Sequence, residues 1–462
     1  MYYLAVDIGA SSGRHILGSV ENGKIVLEEI YRFKNGNVKR NGHLCWELDR
    51  LFAEIKNGMK KCAELGKKPS YMGIDCFGVD FVLLDENDNI LGDTVAYRDS
   101  RTEGMPELVY EKVPYDALYE RTGVQTQLYN SIYQLYSIKQ TSDHLDRAKR
   151  YLHIAEYFNF LLTGVQKNEY TMTSTTQMLN VEEKDFDKEI LNALGIPTSI
   201  FTKPEMPGTV VGKLSPAIME ETGLDLTVLL AAAHDTASAV MAVPTVDPCI
   251  YISSGTWSLM GTLLPEKNSS LSARNAGLTN EGAHDGSVRF LKNIMGLWII
   301  QSIKKELNDE YSFGQLCDMA MESTYEGKMD VNDDAFFAPE SMLGAIRDYL
   351  AKKGEKAPES IGDILRCVYH SLAQSYGETV KEIEAITGRT YDAIHIIGGG
   401  SKDDYLSALT AQYTGKTVYA GPTEATAIGN LLIQMLGAGE FKDLAEAKKA
   451  ITESFPIMKI EA

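Results

Sequence analysis

The chain opens with a short apolar run at residues 4–6 that ends in Asp7-Ile8-Gly9. A turn of small residues follows, Ala10-Ser11-Ser12-Gly13, and then a second strand pattern over 14–20. Residues 24–33 alternate apolar or β-branched with polar positions, the period-two signature of a third strand. Between 46 and 65 the period changes, and Leu48, Leu51, Phe52, Ile55 and Met59 fall on one face of a helix. Strands are predicted at 71–75 and 79–84, a turn at 85–89, and a mostly helical stretch over 106–194. An apolar strand at 228–233 then runs into His234-Asp235-Thr236 and a helix of small residues.

The opening pattern returns in the second half. Residues 249–253 are apolar, Ser254-Gly255-Thr256 form a tight small-residue turn, and 257–264 read as strand, so Asp7 and Ser254 hold equivalent turns. A strand–turn–strand plan repeated at a domain-sized interval predicts two similar α/β lobes. The N-terminal lobe would span 1–245 and the C-terminal lobe 246–462, with the boundary near the polar turn between Pro244 and Pro248. The second lobe continues with a strand at 287–292, helices at 295–307 and 361–386, and a strand at 393–397 that ends in Gly398-Gly399-Gly400. A helix at 403–413, a strand at 417–420 and a helix at 424–435 complete the pattern.

A length of 462 residues suits two or three cores. The 45 Lys+Arg against 64 Asp+Glu give a net charge of -19, which argues against nucleic acid or an anionic membrane as partner. It does not argue against a small phosphate-bearing ligand, because local backbone N–H groups hold phosphate even in an acidic protein. Six cysteines without a CxxC pair suggest free thiols in a reducing compartment rather than zinc or a disulfide framework. The N-terminus MYYLAVDIG has no basic region, and the apolar stretch 228–246 is broken by His234 and Asp235. Neither a signal peptide nor a membrane span is expected, and the cytoplasm is the expected compartment.

Three familiar signatures fail. Gly415-Lys416-Thr417 resembles the end of a P-loop, but Thr410 stands where the first Gly belongs and a strand follows. Gly398-Gly399-Gly400 follows a strand, yet Asp403 replaces the third glycine of a dinucleotide fingerprint. The acidic turn at 85–89 lacks the Gly and Glu of a calcium loop, which would fall at Ile90 and Ala96. Another way of holding a nucleotide remains. Small residues at Ala10, Ser11, Ser12 and Gly13 let backbone N–H groups face a phosphate, and Arg14 adds positive charge. Asp7 supplies a carboxylate for Mg²⁺ or its water shell. Ser254-Gly255-Thr256 repeats the device, and Gly398-Gly399-Gly400 permits close approach by a nucleotide.

Asp235 stands where an apolar strand meets a helix. One reading is a helix N-cap. The other is a carboxylate at a strand's C-terminal end, where α/β folds bind ligands, accepting the proton of a sugar hydroxyl as phosphate transfers to it. His234 beside it suits a hydrogen bond to such a hydroxyl, or a place in the core.

At these residues the chain resembles the FGGY carbohydrate kinases of the actin/Hsp70/hexokinase superfamily. The resemblance is carried by DIGASSGRHILG, GIDCFGVDFVLLDENDNILGDTVAYRDSRT, AAHDTASAV, YISSGTWSLMG, DDAFFAPESM, IIGGGSKDDYL and AGPTEATAIGN, spread over nearly the whole chain. It implies two duplicated ribonuclease H-like, actin-like ATPase lobes, each with a mixed five-stranded sheet flanked by helices, around a cleft. It also implies ATP and Mg²⁺ as cofactors, a monomer or homodimer, and phosphorylation of L-rhamnulose at O1. Alternatives are another ketose or polyol such as L-fuculose or L-xylulose, or an ATP-hydrolysing binding module of the actin/Hsp70 type.

By resemblance, Asp235 is the general base, and Gly78, His234, Asp235, Thr236 and Asn293 meet the sugar. Ala10, Ser11, Ser12, Gly13, Arg14, Thr256, Gln301, Gly399 and Gly400 meet the nucleotide, and Asp7 faces Mg²⁺ through water. Cys76-Phe77 departs from the Thr-Trp expected before Gly-Val-Asp, which keeps an aromatic wall but loses an indole N–H donor.

Overall fold

The computed structural model describes all 462 residues, Met1–Ala462. Two compact units emerge from the packing. One comprises Met1–Val246, Leu263–Phe290 and Ala425–Ser454; the other comprises Asp247–Thr262, Leu291–Glu424 and Phe455–Ala462.

Two mixed sheets of six and seven strands organise the chain, rather than two of five. The first is built from β1 (Tyr3–Ile8), β2 (Ser12–Glu21), β3 (Lys24–Lys34), β4 (Tyr71–Cys76), β5 (Val210–Lys213) and β6 (Thr227–Leu229), in the order β5-β6-β4-β1-β2-β3. The second uses β7 (Ile250–Ser254), β8 (Trp257–Leu264), β9 (Thr279–Gly282), β10 (Val288–Met295), β11 (Ala393–Ile397), β12 (Thr417–Ala420) and β13 (Met458–Ile460), in the order β9-β10-β8-β7-β11-β12-β13.

The repeat seen in the sequence is a repeat of pairing. β1 pairs antiparallel with β2 and parallel with β4, and β7 pairs antiparallel with β8 and parallel with β11. The next strands, β6 and β12, are again parallel, and each sheet gains an antiparallel edge strand, β5 and β13. Parallel strands need both faces covered, so their residues are mostly apolar. Leu4, Val6, Ile8, Met72, Ile74 and Val228 are accordingly buried with Leu51, Ile55 and Met59 of the helix Leu48–Glu64. In the second unit Ile250, Ile252, Ile394 and Ile396 are buried, as are Leu365, Val368 and Leu372 of the helix Ile361–Thr387.

Some expected boundaries move. The strand predicted at 228–233 keeps its ladder only over β6; beyond it a single bridge joins Cys76 to His234, and Cys76 N donates to Ala233 O at 2.8 Å. The helix expected from 295 starts at Trp298, because Met295 is still paired in β10. The stretch 106–194 also contains a strand, Arg150–His153, paired antiparallel with Phe81–Leu84.

Candidate functional site

Two aspartates lie near the ends of neighbouring strands of the first sheet, and a third opens the helix that follows the next strand. Asp7 on β1 is the direct register partner of Asp75 on β4, and Asp235 follows His234, which bridges to Cys76. Asp75 is fully buried and accepts from Asn430 Nδ2 at 2.6 Å. Burial, then the charge of Asp7, hold its carboxyl well above the usual range. The Asp235 side chain keeps 36% of its surface exposed, open on one side and enclosed by protein on the others. Enclosure, then the charge of Asp7, push its carboxyl up to about 6. Such values suit a base that must take a proton near neutrality.

The capping alternative for Asp235 fails. His234 occupies the N-cap of the helix Asp235–Met241 without any side-chain capping bond, and Asp235 is the first helical residue. Its Oδ1 accepts from Thr236 Oγ1 at 3.2 Å. The other end of this helix is held by Lys448, whose buried Nζ donates to Met241 O and Val243 O at 2.6 Å each. A cation there also suits the helix dipole.

Two buried acids shape the approach to Asp235. Glu169 accepts from Thr171 N, Thr171 Oγ1 and Met172 N, and its Oε2 also accepts from Ala233 N at 3.2 Å. It thereby ties a turn of the 170s to the backbone entering the site, and burial pushes its carboxyl up to about 7. Asp80 accepts from Trp46 Nε1 at 2.6 Å, Tyr97 N at 2.9 Å and Gln134 Nε2 at 3.1 Å. Between it and Gly78 lies Val79 at φ +69°, a strained angle for a β-branched residue. Ser131 Oγ holds that turn by donating to Val79 O at 2.6 Å. A Cβ on Gly78 would stand 3.4 Å from His234 Nε2, so the glycine keeps space open beside that nitrogen. Phe77 stacks on Trp46 with centroids 4.3 Å apart, and its ring also meets Tyr97 at 6.1 Å.

The predicted phosphate turn is a closed loop: Gly9 N donates to Ser12 O at 2.9 Å and Asn35 Nδ2 donates to Gly9 O at 2.9 Å. Ser11 is exposed, with Ala10 and Ser12 half-buried. Gly13 has a packing reason, since a Cβ there would lie 2.1 Å from the Phe33 ring. Arg14 Nε donates to Asp7 Oδ2 at 2.9 Å, so the two charges expected to face phosphate and Mg²⁺ hold each other.

In the second unit, Thr256 Oγ1 donates to Gln301 Oε1 at 3.4 Å, and Leu297 N and Trp298 N donate to the carbonyls of Gly255 and Thr256. Gly398, at φ +86°, and Gly400 both pack on Ser254: a Cβ on Gly400 would lie 2.0 Å from Ser254 Oγ. Gly399 faces open space. Thr256, Gln301, Gly399 and Gly400 thus gather around one turn, whereas Asn293 lies on β10. Gly255 has room too, with only Trp257 O at 3.8 Å from a built Cβ. On the expectation from the sequence resemblance that this turn holds ATP, Gly255→Val should fold normally and raise the KM for ATP about tenfold or more, with the sugar KM unchanged. Initial rates against each substrate check this, and equal effects on both would sink it.

The family models for the FGGY family of carbohydrate kinases match this chain, the N-terminal domain over residues 2–242 and the C-terminal domain over 250–438. The chain belongs to the FGGY family of carbohydrate kinases. Among its FGGY relatives, the rhamnulokinase of Halalkalibacterium halodurans is 47% identical over 99% of this chain and 98% of its own length. That of Bacillus subtilis is 41% identical over 99% and 94%. Among solved structures, xylulose kinase from Lactobacillus acidophilus aligns with a TM-score of 0.82 at 16% identity, over 100% of this chain and 93% of its own. This FGGY chain has no helix long and apolar enough to cross a membrane, and its six cysteines are all free thiols.

Glu169, Asp75, Glu281 and Arg289 escaped the sequence reading. Asp75 and Arg289 show only as charged residues among apolar neighbours, and Glu169 and Glu281 sit among polar ones, so none names a partner.

Proposed function

We propose that this FGGY kinase transfers the γ-phosphate of ATP to O1 of L-rhamnulose, giving L-rhamnulose 1-phosphate and ADP. The single observation that carries the chemistry is Asp235, a half-open carboxyl raised to about 6 beside an uncharged histidine. The sugar identity rests on full-length similarity to proteins named rhamnulokinase. A cytoplasmic setting, where ATP is available, suits this reaction.

In this reading Asp235 accepts the O1 proton as the oxygen attacks phosphorus, while His234, Thr236 and Asn293 orient the ketose and Gly78 leaves it room. The turn Ala10, Ser11, Ser12, Gly13 and the pair Thr256 and Gln301, with Gly399 as the open glycine and Gly400 packed beneath it, hold the nucleotide. No three His, Cys, Asp or Glu side chains gather as a metal cage. Asp7 offers a single carboxylate, which fits Mg²⁺ carried mainly by phosphate oxygens and water. When bound, that ion would offset the charge developing on the phosphoryl oxygens. Arg14 would move between Asp7 and phosphate.

The active form of the base is the carboxylate. A carboxyl raised to about 6 is protonated below that pH and ionised above it. The kcat/KM for sugar should therefore be flat above about pH 6 and fall about tenfold per unit below it. A limb near the ordinary aspartate value of about 4 would count against Asp235 as the base. The substrate itself is tested by ADP release across L-rhamnulose, L-fuculose, L-xylulose and glycerol. Preference for L-rhamnulose is expected, and a flat response would overturn the assignment.

A further inference from the structure

We infer that Arg289 is a positioning residue, buried to fix the tautomer of His234 so that its Nε2 carries the proton and donates to the sugar. This rests on the kinase reading above. Arg289 Nη2 lies 3.2 Å from His234 Nδ1. A guanidinium can only donate, so Nδ1 must accept, and the ring's one proton sits on Nε2. Nε2 faces Asp235, with Oδ1 at 3.6 Å, and the space kept by Gly78. That is beyond a direct hydrogen bond but suited to a hydroxyl that both groups contact. His234 would donate to the hydroxyl oxygen while Asp235 takes its proton.

Arg289 also has structural partners, and its charge reaches Asp235 as well. Arg289 is fully buried, donates from Nε to Gly282 O at 2.8 Å, and pairs with Glu281 at 3.0 Å. Its Nη1 has no partner. A buried cation with an unsatisfied nitrogen costs stability that an apolar residue of similar size would not. Glu281 Oε2 stands 3.5 Å from His234 Nδ1, too long to claim the proton against the closer guanidinium. The charged and titratable groups around the ring are thus Arg289, Glu281 and Asp235, with His153 further off. Burial, then the charge of Arg289, keep His234 well below its ordinary protonation range.

The test is a long-range nitrogen–proton correlation spectrum of the ¹⁵N-labelled full chain, with the His234 signal assigned by its loss in His234→Gln. A protonated Nε2 and bare Nδ1, constant across neutral pH, are expected. A proton on Nδ1, or on both nitrogens, overturns the inference. The spectrum reads the wild-type protein without turnover, so it stands whether or not the sugar assignment does.

Kinetics give a second readout. The double variant Arg289→Met/Glu281→Gln leaves no lone buried charge. It should raise the sugar KM about tenfold, roughly the value of one oriented hydrogen bond, with the ATP KM unchanged and a new acid limb as His234 becomes titratable. Arg289→Lys, which keeps a donor, should recover most of the sugar affinity. A folded double variant with wild-type sugar KM and pH profile would refute the role, and should it not fold, the wild-type spectrum decides alone.

Discussion

Asp235→Asn is expected to lower kcat by about two to four orders of magnitude while leaving the affinity for ATP nearly unchanged. The amide keeps the shape of the carboxylate and can still accept from Thr236 Oγ1, so the local fold has no steric reason to change. What it loses is basicity. Its charge is also one of the causes that raise the Asp75 carboxyl, so removing it relieves repulsion among the three aspartates. Thermal stability should therefore hold or rise slightly as activity collapses. That opposite movement separates a catalytic loss from a folding defect. The acid limb near pH 6 should vanish from the residual rate. Near-normal turnover in the variant would remove Asp235 from the role of base.

Much of this was legible in the chain. The strands at 257–264, 393–397 and 417–420 appear as predicted, because each is a short apolar run closed by turn residues. β5 and β13 were not, because edge strands are largely exposed and take their register from a partner rather than from their own pattern. Asp235 stood out by position, yet one sequence could not separate a cap from a base. His234 at the N-cap removes the capping reading, and the role of base stays a proposal. Asp75 looked like any strand residue until parallel register set it beside Asp7. Arg289 and Glu281 needed the return of residues 263–290 to the first unit, a packing fact with no local signature.

The segment Glu424-Ala425-Thr426-Ala427-Ile428-Gly429-Asn430 was readable as a motif but not as a mechanism. Its helix, Ala425–Gly437, packs on the helix Asp235–Met241 so closely that a Cβ on Gly429 would stand 1.7 Å from Ser238 O and 2.5 Å from Ser238 C. Both atoms are backbone, so no side chain can turn aside, and the two helices must separate. Ser238 cannot yield readily, because its Oγ donates to Ala232 O at 2.7 Å within the chain that leads to His234. On the other side, Asn430 Nδ2 donates to Asp75 Oδ2 and to Gly73 O, so the displaced helix would also loosen the buried aspartate. Gly429→Ala should therefore cost about 3 kcal/mol, at the upper end for overpacking, even though alanine favours helices. Chemical denaturation measures it, with Gly437→Ala as control, since a Cβ at that position meets nothing within 4 Å. We expect the Gly429 variant to lose kcat as well, through the shift of Asp235. A variant as stable as wild type would mean that the helices are not in backbone contact at this point.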